Sequence, residues 1–302
     1  MTSEIIERKG RGHPDTIADN LAEVLGKKLK NQYLKEYGKI QHYNVDKVLA
    51  SCGKVDYDKK EMISPVKIVF SGNATKTEEI EDLLKKTVNE VLEIEINRGL
   101  KYEVFNHIAE GSPDLSDNFN KNLCNDTSFS VGHPYTEAEK KVLEISHFLE
   151  KEALDSKEIG TDHKVMYING KIFIALALIC ETRRRYDELK KSFEISLRKK
   201  YENENIFINT GDNEKTCFNT VTGTSLEQGD AGMTGRGNRY NDLITPTKPM
   251  TMEAYCGKND VTHIGRTYQK LAQELATKEG KSILLVNHIG NDIEDYEKFY
   301  LD

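Results

Sequence analysis

The sequence predicts an α+β fold in which helices cover one face of antiparallel or mixed sheets. Three observations carry this expectation: five stretches with helical spacing of apolar residues, several short β-branched runs, and an Asn169-Gly170 pair joining two of those runs. Strands and helices do not alternate one for one, so a doubly wound parallel sheet is not implied.

Residues 16–37 place Ile17, Leu21, Leu25, Leu29, Tyr33 and Tyr37 at i,i+4 spacing, with Gly38 as a C-terminal stop. Residues 77–92 set Ile80, Leu83, Leu84, Val88 and Val91 on one helical face. Thr136 followed by Glu139 is a capping box that opens a helix reaching about Leu154. Helices are also expected over 183–201, basic at its start, and over 260–278 with Ile264, Tyr268, Leu271 and Leu275. Strands are expected at Val66–Phe70, Lys164–Ile168, Lys171–Cys180, Ile206–Asn209, Phe218–Val221 and Ile283–Val286. Asn-Gly supplies the two positive φ angles of a type I′ turn, which makes 164–180 the clearest hairpin in the chain.

The composition excludes several classes. The 302 residues carry 43 Lys+Arg against 50 Asp+Glu, a net charge of −7, and the pI is near 5.7. A protein that grips nucleic-acid phosphates is normally basic, so no nucleic-acid partner is expected. The longest apolar run, Ile172–Cys180, has nine residues, far short of the ~20 of a membrane helix, so no membrane partner is expected either. The first ten residues lack a signal-peptide core, and the five cysteines are scattered without a CxxC pair; a reduced, cytoplasmic protein is expected.

Two common nucleotide motifs fail. Gly280-Lys281-Ser282 imitates a P-loop ending, but the required earlier glycine is Leu275. Gly235-Arg236-Gly237 is followed at position 240 by tyrosine, which breaks a dinucleotide fingerprint. Three other segments concentrate charge and glycine: Arg8–Asp19, Gln228–Arg239 and Gly257–His263. In the first, Asp15 serves as a plain helix N-cap, or His13 and Asp15 hold a phosphate and its Mg²⁺ at the helix N-terminus. In the second, four glycines let a backbone approach a ligand while Arg236 and Arg239 offer planar forks to phosphate, or the segment is a solvated turn. In the third, Asp260 reads as an N-cap.

Taken in order, GRGHPDTIAD from Gly10, NDTSF from Asn125, and GDAGMTGRGNRYNDLITP with PMTMEAYCGKNDVTHIG resemble the archaeal-type methionine adenosyltransferases, the S-adenosylmethionine synthetases. The resemblance runs from residue 5 to about 268. It implies three similar α/β-layer domains around a pseudo-threefold axis with interleaved segments: 1–11 plus 137–225, 12–98 plus 226–265, and 99–136 plus 266–302. Relatives continue past the strand at 283–289 while this sequence stops at Asp302, so the third domain is expected to be shortened.

The implied chemistry is attack of the methionine sulfur on C5′ of ATP, release of triphosphate, and its hydrolysis to pyrophosphate and phosphate. Implied catalytic residues are His13, Lys164, Arg236 and Lys258. Implied substrate residues are Asp126, Asp162 (ribose), Asp230 (methionine amino group), Arg239 and His263. Asp15 is an implied Mg²⁺ ligand, and Asp260, where relatives have proline, adds a carboxylate near the metal. Mg²⁺, K⁺ and a homodimer with its active site between subunits complete the expectation. Ser51-Cys52-Gly53-Lys54 replaces the family's Gly-Gly-His stretch, which leaves a different nucleophilic acceptor as one alternative. A non-catalytic paralogue that regulates a full-length relative is the other.

Overall fold

The computed structural model describes residues 4–96, 99–201 and 204–301. In chain order the elements are β1 (Ile5–Lys9), α1 (Pro14–Tyr37), β2 (Tyr43–Ser51), β3 (Lys54–Asp56), β4 (Glu61–Ser64), β5 (Val66–Ala74), α2 (Ile80–Glu95), β6 (Tyr102–Ala109), α3 (Pro113–Asn120) and β7 (Ser128–Gly132). The second half contributes α4 (Glu137–Asp155), β8 (Ile159–Ile168), β9 (Lys171–Leu178), α5 (Arg183–Lys200), β10 (Asn205–Ile208), a 3₁₀ turn (Ser225–Glu227), β11 (Gly232–Met233), α6 (Ile264–Glu279), β12 (Ser282–Asn287) and β13 (Glu297–Leu301).

Three sheets organise these elements, ordered β1-β8-β9-β10, β11-β2-β5-β6 and β13-β12-β7, beside a two-stranded β3-β4 hairpin. The chain visits the first, second and third sheets in turn and then repeats the circuit, so its segments are interleaved. Helices cover each sheet: α4 and α5 the first, α1 and α2 the second, α6 the third. Each layer has its own core. Ile17, Leu21, Leu25 and Leu29 of α1 pack on Val48, Ile68 and Phe70, while Val142, Ile145 and Leu149 of α4 pack on Val165 and Ile174. The smallest core joins Ile264, Tyr268 and Ala272 of α6 to Ile283 and Leu285.

The expected helices form with small shifts of their ends. Asn169 and Gly170 have φ of 45° and 86°, so the hairpin turns as its residues dictate. At α4 the capping box is reciprocal: Thr136 Oγ1 accepts from Glu139 N at 3.2 Å and Glu139 Oε2 accepts from Thr136 N at 2.8 Å. Replacing Thr136 by Ala is expected to cost about 1–2 kcal/mol, read from the urea midpoint, because that hydroxyl also donates to Glu4 at 2.6 Å.

Some expectations need correction. Asp15 does not cap α1; His13 holds that position, its Nδ1 accepting from Asp15 N, with Pro14 in the first turn. The Asp15 carboxylate turns to tertiary partners instead. Asp260 does not cap α6, which begins after His263. Phe218–Val221 forms only a single bridge from Asn219 to Leu178, because the Asn219 side chain itself bonds both backbone groups of Cys180. Strand β6, in the segment expected to belong with residues 99–136, pairs in parallel with β5 and closes the second sheet. Among the described residues, no helix is long and apolar enough to cross a membrane.

Candidate active site

The N-terminus of α1 is built into a charged corner. Strand β1 delivers Lys9, whose Nζ donates to Asp15 Oδ2 at 2.8 Å and to the Arg236 carbonyl at 2.7 Å. Asp15 Oδ1 accepts from Met233 N at 3.0 Å. Burial works to raise the Asp15 pKa, but the Lys9 and Met233 bonds outweigh it and hold it below the usual carboxylate range. His13 Nδ1 accepts from a backbone N–H at 3.2 Å, so the neutral ring carries its proton on Nε2. Burial, reinforced by Lys9 and Lys164, pushes the His13 pKa down to about 4. At neutral pH His13 is therefore an uncharged hydrogen-bond donor.

The glycine-rich loop after β11 is clamped against α1 from several sides. Asp19 Oδ1 accepts from Gly235 N at 2.7 Å, and Thr234 Oγ1 donates to the Ala18 carbonyl at 3.1 Å. The approach leaves no room for side chains. A Cβ at Gly232 would stand 1.9 Å from the Pro14 carbonyl oxygen, and one at Gly237 would stand 2.1 Å from Asp19 Oδ2. Arg239 braces the loop from inside, donating to the carbonyls of Gly235 at 2.5 Å, Gly237 at 2.8 Å and Thr251 at 3.3 Å. Its guanidinium thus holds backbone, whereas the sequence suggested a phosphate fork. Arg236 is different: its side chain is exposed, and only its backbone carries hydrogen bonds among the described residues.

Strand β8 supplies the other expected pair. Asp162 Oδ2 accepts from Ser225 N at 2.8 Å and Ser225 Oγ at 2.6 Å. Burial, with Asp230 nearby, raises the Asp162 pKa to about 7. Two residues on, Lys164 lies 3.5 Å from Glu7 and borders a cavity of about 500 Å³ lined by Met166, Phe173, Asn209 and Phe218. Lys164 stands opposite Lys9 in the β1–β8 register, and Asp230 lies on the loop that leads into Met233, whose N–H bonds Asp15. The structure therefore brings His13, Asp15, Lys164 and Asp230 together, with Asp162 and the Arg236 loop alongside.

The raised Asp162 pKa has a stability consequence. Between the ordinary carboxylate value and about 7 the folded state holds a proton that the unfolded chain has lost, so this group's contribution to stability falls as pH rises through that window. Asp162→Asn retains an oxygen able to accept both Ser225 bonds. The variant is expected to gain stability relative to the parent between pH 4 and pH 7.5, measured by urea unfolding at each pH. A constant difference would contradict the assignment.

A second group gathers at β2 and the start of α6. Lys258, 3% exposed, bonds Asp46 on β2 and lies 3.6 Å from Glu253. Burial opposes ionisation of Asp46, but Lys258 and Lys47 together hold its pKa low. An oxygen from each of Asp126 and Glu253 and a ring nitrogen of His263 lie within 4.8 Å of one another. Burial, then Lys258, pushes the His263 pKa down to about 3, while burial raises that of Glu253 against the pull of Lys258. Asp260 stands apart, exposed and paired with Lys30 at 2.6 Å. Among the described residues, no side-chain hydrogen bond or ion pair joins the second group directly to His13, Asp15, Lys164 or Asp230.

Lys9, Asp19, Asp46, Ser225 and Glu253 were not anticipated from sequence. Lys9 and Asp19 lie inside or at the edge of the first charged segment, and Glu253 lies in PMTMEAY. Asp46 and Ser225 carry no local signal, because only the fold brings them to their partners.

Fold and site together define an α+β protein of three interleaved sheets in which a histidine-capped helix start packs against a clamped, glycine-rich loop carrying Arg236. Comparisons agree on what kind. A profile described as S-adenosylmethionine synthetase (AdoMet synthetase) matches residues 1–295. The S-adenosylmethionine synthase of Sulfolobus acidocaldarius is 38% identical over 331 positions, covering 96% of this chain and 81% of that protein. The synthase of Methanosarcina mazei is 36% identical, covering 96% and 82%. The chain belongs to the S-adenosylmethionine synthetase family. A solved structure titled as an unusual S-adenosylmethionine synthetase from Campylobacter jejuni has the same fold at a TM-score of 0.66, with 18% identity, covering 96% of this chain and 79% of that one. The alignment with the Sulfolobus protein is longer than the 302 residues here, so that relative carries insertions inside the matched region.

Proposed function

We propose that the chain is a methionine adenosyltransferase, transferring the adenosyl group of ATP to the sulfur of methionine and then hydrolysing the released triphosphate to pyrophosphate and phosphate. The observation that carries this reading is the convergence of His13, Asp15, Lys164 and Asp230 at the head of α1, beside the clamped loop from which Arg236 projects, in a chain of this family. A thioether has no proton to lose, so no general base is needed. The chemistry requires alignment of sulfur with C5′ and stabilisation of the departing triphosphate. His13, neutral with its proton on Nε2, donates toward the leaving oxygen. Lys164 and Arg236 take phosphate oxygens; Asp162 takes the ribose hydroxyls, and Asp230 the methionine amino group. Lys258 remains bound to Asp46 and orders the wall near Asp126 and His263, which border the substrates.

Mg²⁺ and K⁺ are the proposed cofactors. Asp15 fits Mg²⁺: one carboxylate with an unused lone pair on each oxygen suits an ion that takes its other ligands from phosphate and water. Bound there, the ion neutralises charge on the triphosphate. Asp260, paired with Lys30, does not fit that role.

Because the two charged groups are separate within one chain, the complete site is proposed to form between two protomers of a homodimer, the group around His13 facing the partner's group around Lys258. The domain division follows the sheets, with the second unit running through β6: 1–11 plus 137–225, 12–109 plus 226–265, and 110–136 plus 266–302. The free cysteines support a cytoplasmic location.

The test is mass spectrometry of the nucleoside product after incubation with ATP, Mg²⁺, K⁺ and methionine. S-adenosylmethionine with pyrophosphate and phosphate is expected. ATP consumption without that product would identify another acceptor. No turnover with any acceptor, together with binding to a longer homologue, would identify a regulatory paralogue.

A further inference from the structure

We propose that Asp126, Glu253 and His263 form a binding site for a divalent transition-metal cation, distinct from the magnesium held at Asp15. The three side chains come from separate places: Asp126 from the loop before β7, Glu253 from the loop before α6, and His263 from the residue preceding α6. One donor atom from each lies within 4.8 Å of the other two, a spacing that small side-chain movements close around a single ion. His263 is 2% exposed, and its Nδ1 has no hydrogen-bond partner. A buried ring nitrogen without a partner normally costs stability, and a ring nitrogen of this same side chain lies within 4.8 Å of both carboxylates.

The carboxylates point the same way. An oxygen of Asp126 and one of Glu253 lie within 4.8 Å of each other, so two carboxylates share one corner. The nearest cation is Lys258, 3.6 Å from Glu253, and its ammonium is already committed to Asp46. Room for Glu253 is built in, since a Cβ at Gly265 would stand 2.3 Å from Glu253 Oε2. One imidazole nitrogen with two carboxylate oxygens suits Mn²⁺, Fe²⁺ or Zn²⁺ better than Ca²⁺, which prefers an all-oxygen cage. Three ligands leave further positions for water or for a group of the bound substrate.

This site rests on geometry alone and stands whether or not methionine is the acceptor. The probe is Mn²⁺ added to the nucleotide-free protein. Electron paramagnetic resonance counts the free ion, and electron spin-echo modulation detects a coordinated nitrogen. One bound Mn²⁺ per chain with imidazole ¹⁴N modulation is expected. H263Q should abolish the modulation, and both H263Q and D126N should weaken binding by about tenfold or more. D126N alters a partly exposed residue and keeps the test available if H263Q does not fold. D15N should leave nucleotide-free binding unchanged. Absence of stoichiometric binding, binding without nitrogen modulation, or binding lost in D15N but retained in D126N overturns the proposal.

Discussion

Arg236→Ala is expected to lower kcat/KM for S-adenosylmethionine formation by about 10²–10³-fold, the effect of removing one preorganised donor from a developing charge. The loss should fall mainly on kcat, because a leaving triphosphate carries more charge at its departing end in the transition state than in bound ATP. The fold should be untouched. The Arg236 side chain is exposed, and the loop is fixed by groups that the substitution leaves in place: Asp15 on Met233 N, Asp19 on Gly235 N, Lys9 on the residue-236 carbonyl, and Arg239 on two further carbonyls. Steady-state kinetics and a thermal melt on the same preparation separate the effects. A melt unchanged to within about 0.5 kcal/mol alongside the kinetic loss is the expected pair.

Arg8→Ala should have the largest effect on stability. Arg8 is 5% exposed and ties β1 to α4 and to the turn that ends the glycine loop. It donates to Glu150 at 2.7 Å, to Ser146, and twice to Asp242 at 2.9 and 2.7 Å. Removing a buried cation strands its anions, which here costs about 3 kcal/mol, the bottom of the range for buried pairs, because the Asp242 side chain is 44% exposed. Asp242 also accepts from Asn238 at 3.2 Å, so loosening it reaches the loop that carries Arg236. Urea unfolding gives the stability loss, and a fall in kcat under conditions where the variant is fully folded would report the second effect.

Sequence reasoning recovered what is local. The α1 stripe from Ile17 to Tyr33, the Thr136–Glu139 box and the Asn169-Gly170 turn each depend on residues within a few positions of one another. It failed where tertiary partners override local preference. Asp15 is a better N-cap by type than His13, yet Lys9 and Met233 draw its carboxylate away and histidine takes the cap. Strand β2 was not anticipated because its register shifts between Asn44 and Lys47, and its buried Asp46 answers Lys258. In β6 inward and outward positions do alternate, but charge and histidine on the strand hide the apolar face. Asp126 is a site candidate by motif, whereas its nearness to Glu253 and His263 spans over a hundred residues and has no local trace. Arg236 and Arg239 look equivalent in sequence; only the backbone carbonyls around Arg239 separate a structural guanidinium from a free one.

The most direct test of a site shared between protomers is complementation. Arg236→Ala and Asp126→Ala chains, each inactive alone, are mixed, allowed to exchange subunits, and assayed, with native mass spectrometry confirming mixed dimers. If the two charged groups meet across the interface, each mixed dimer regains one intact site, and random exchange restores about a quarter of the original activity. Mixed dimers that form and remain inactive, or full activity from an isolated monomer, would contradict an intersubunit site.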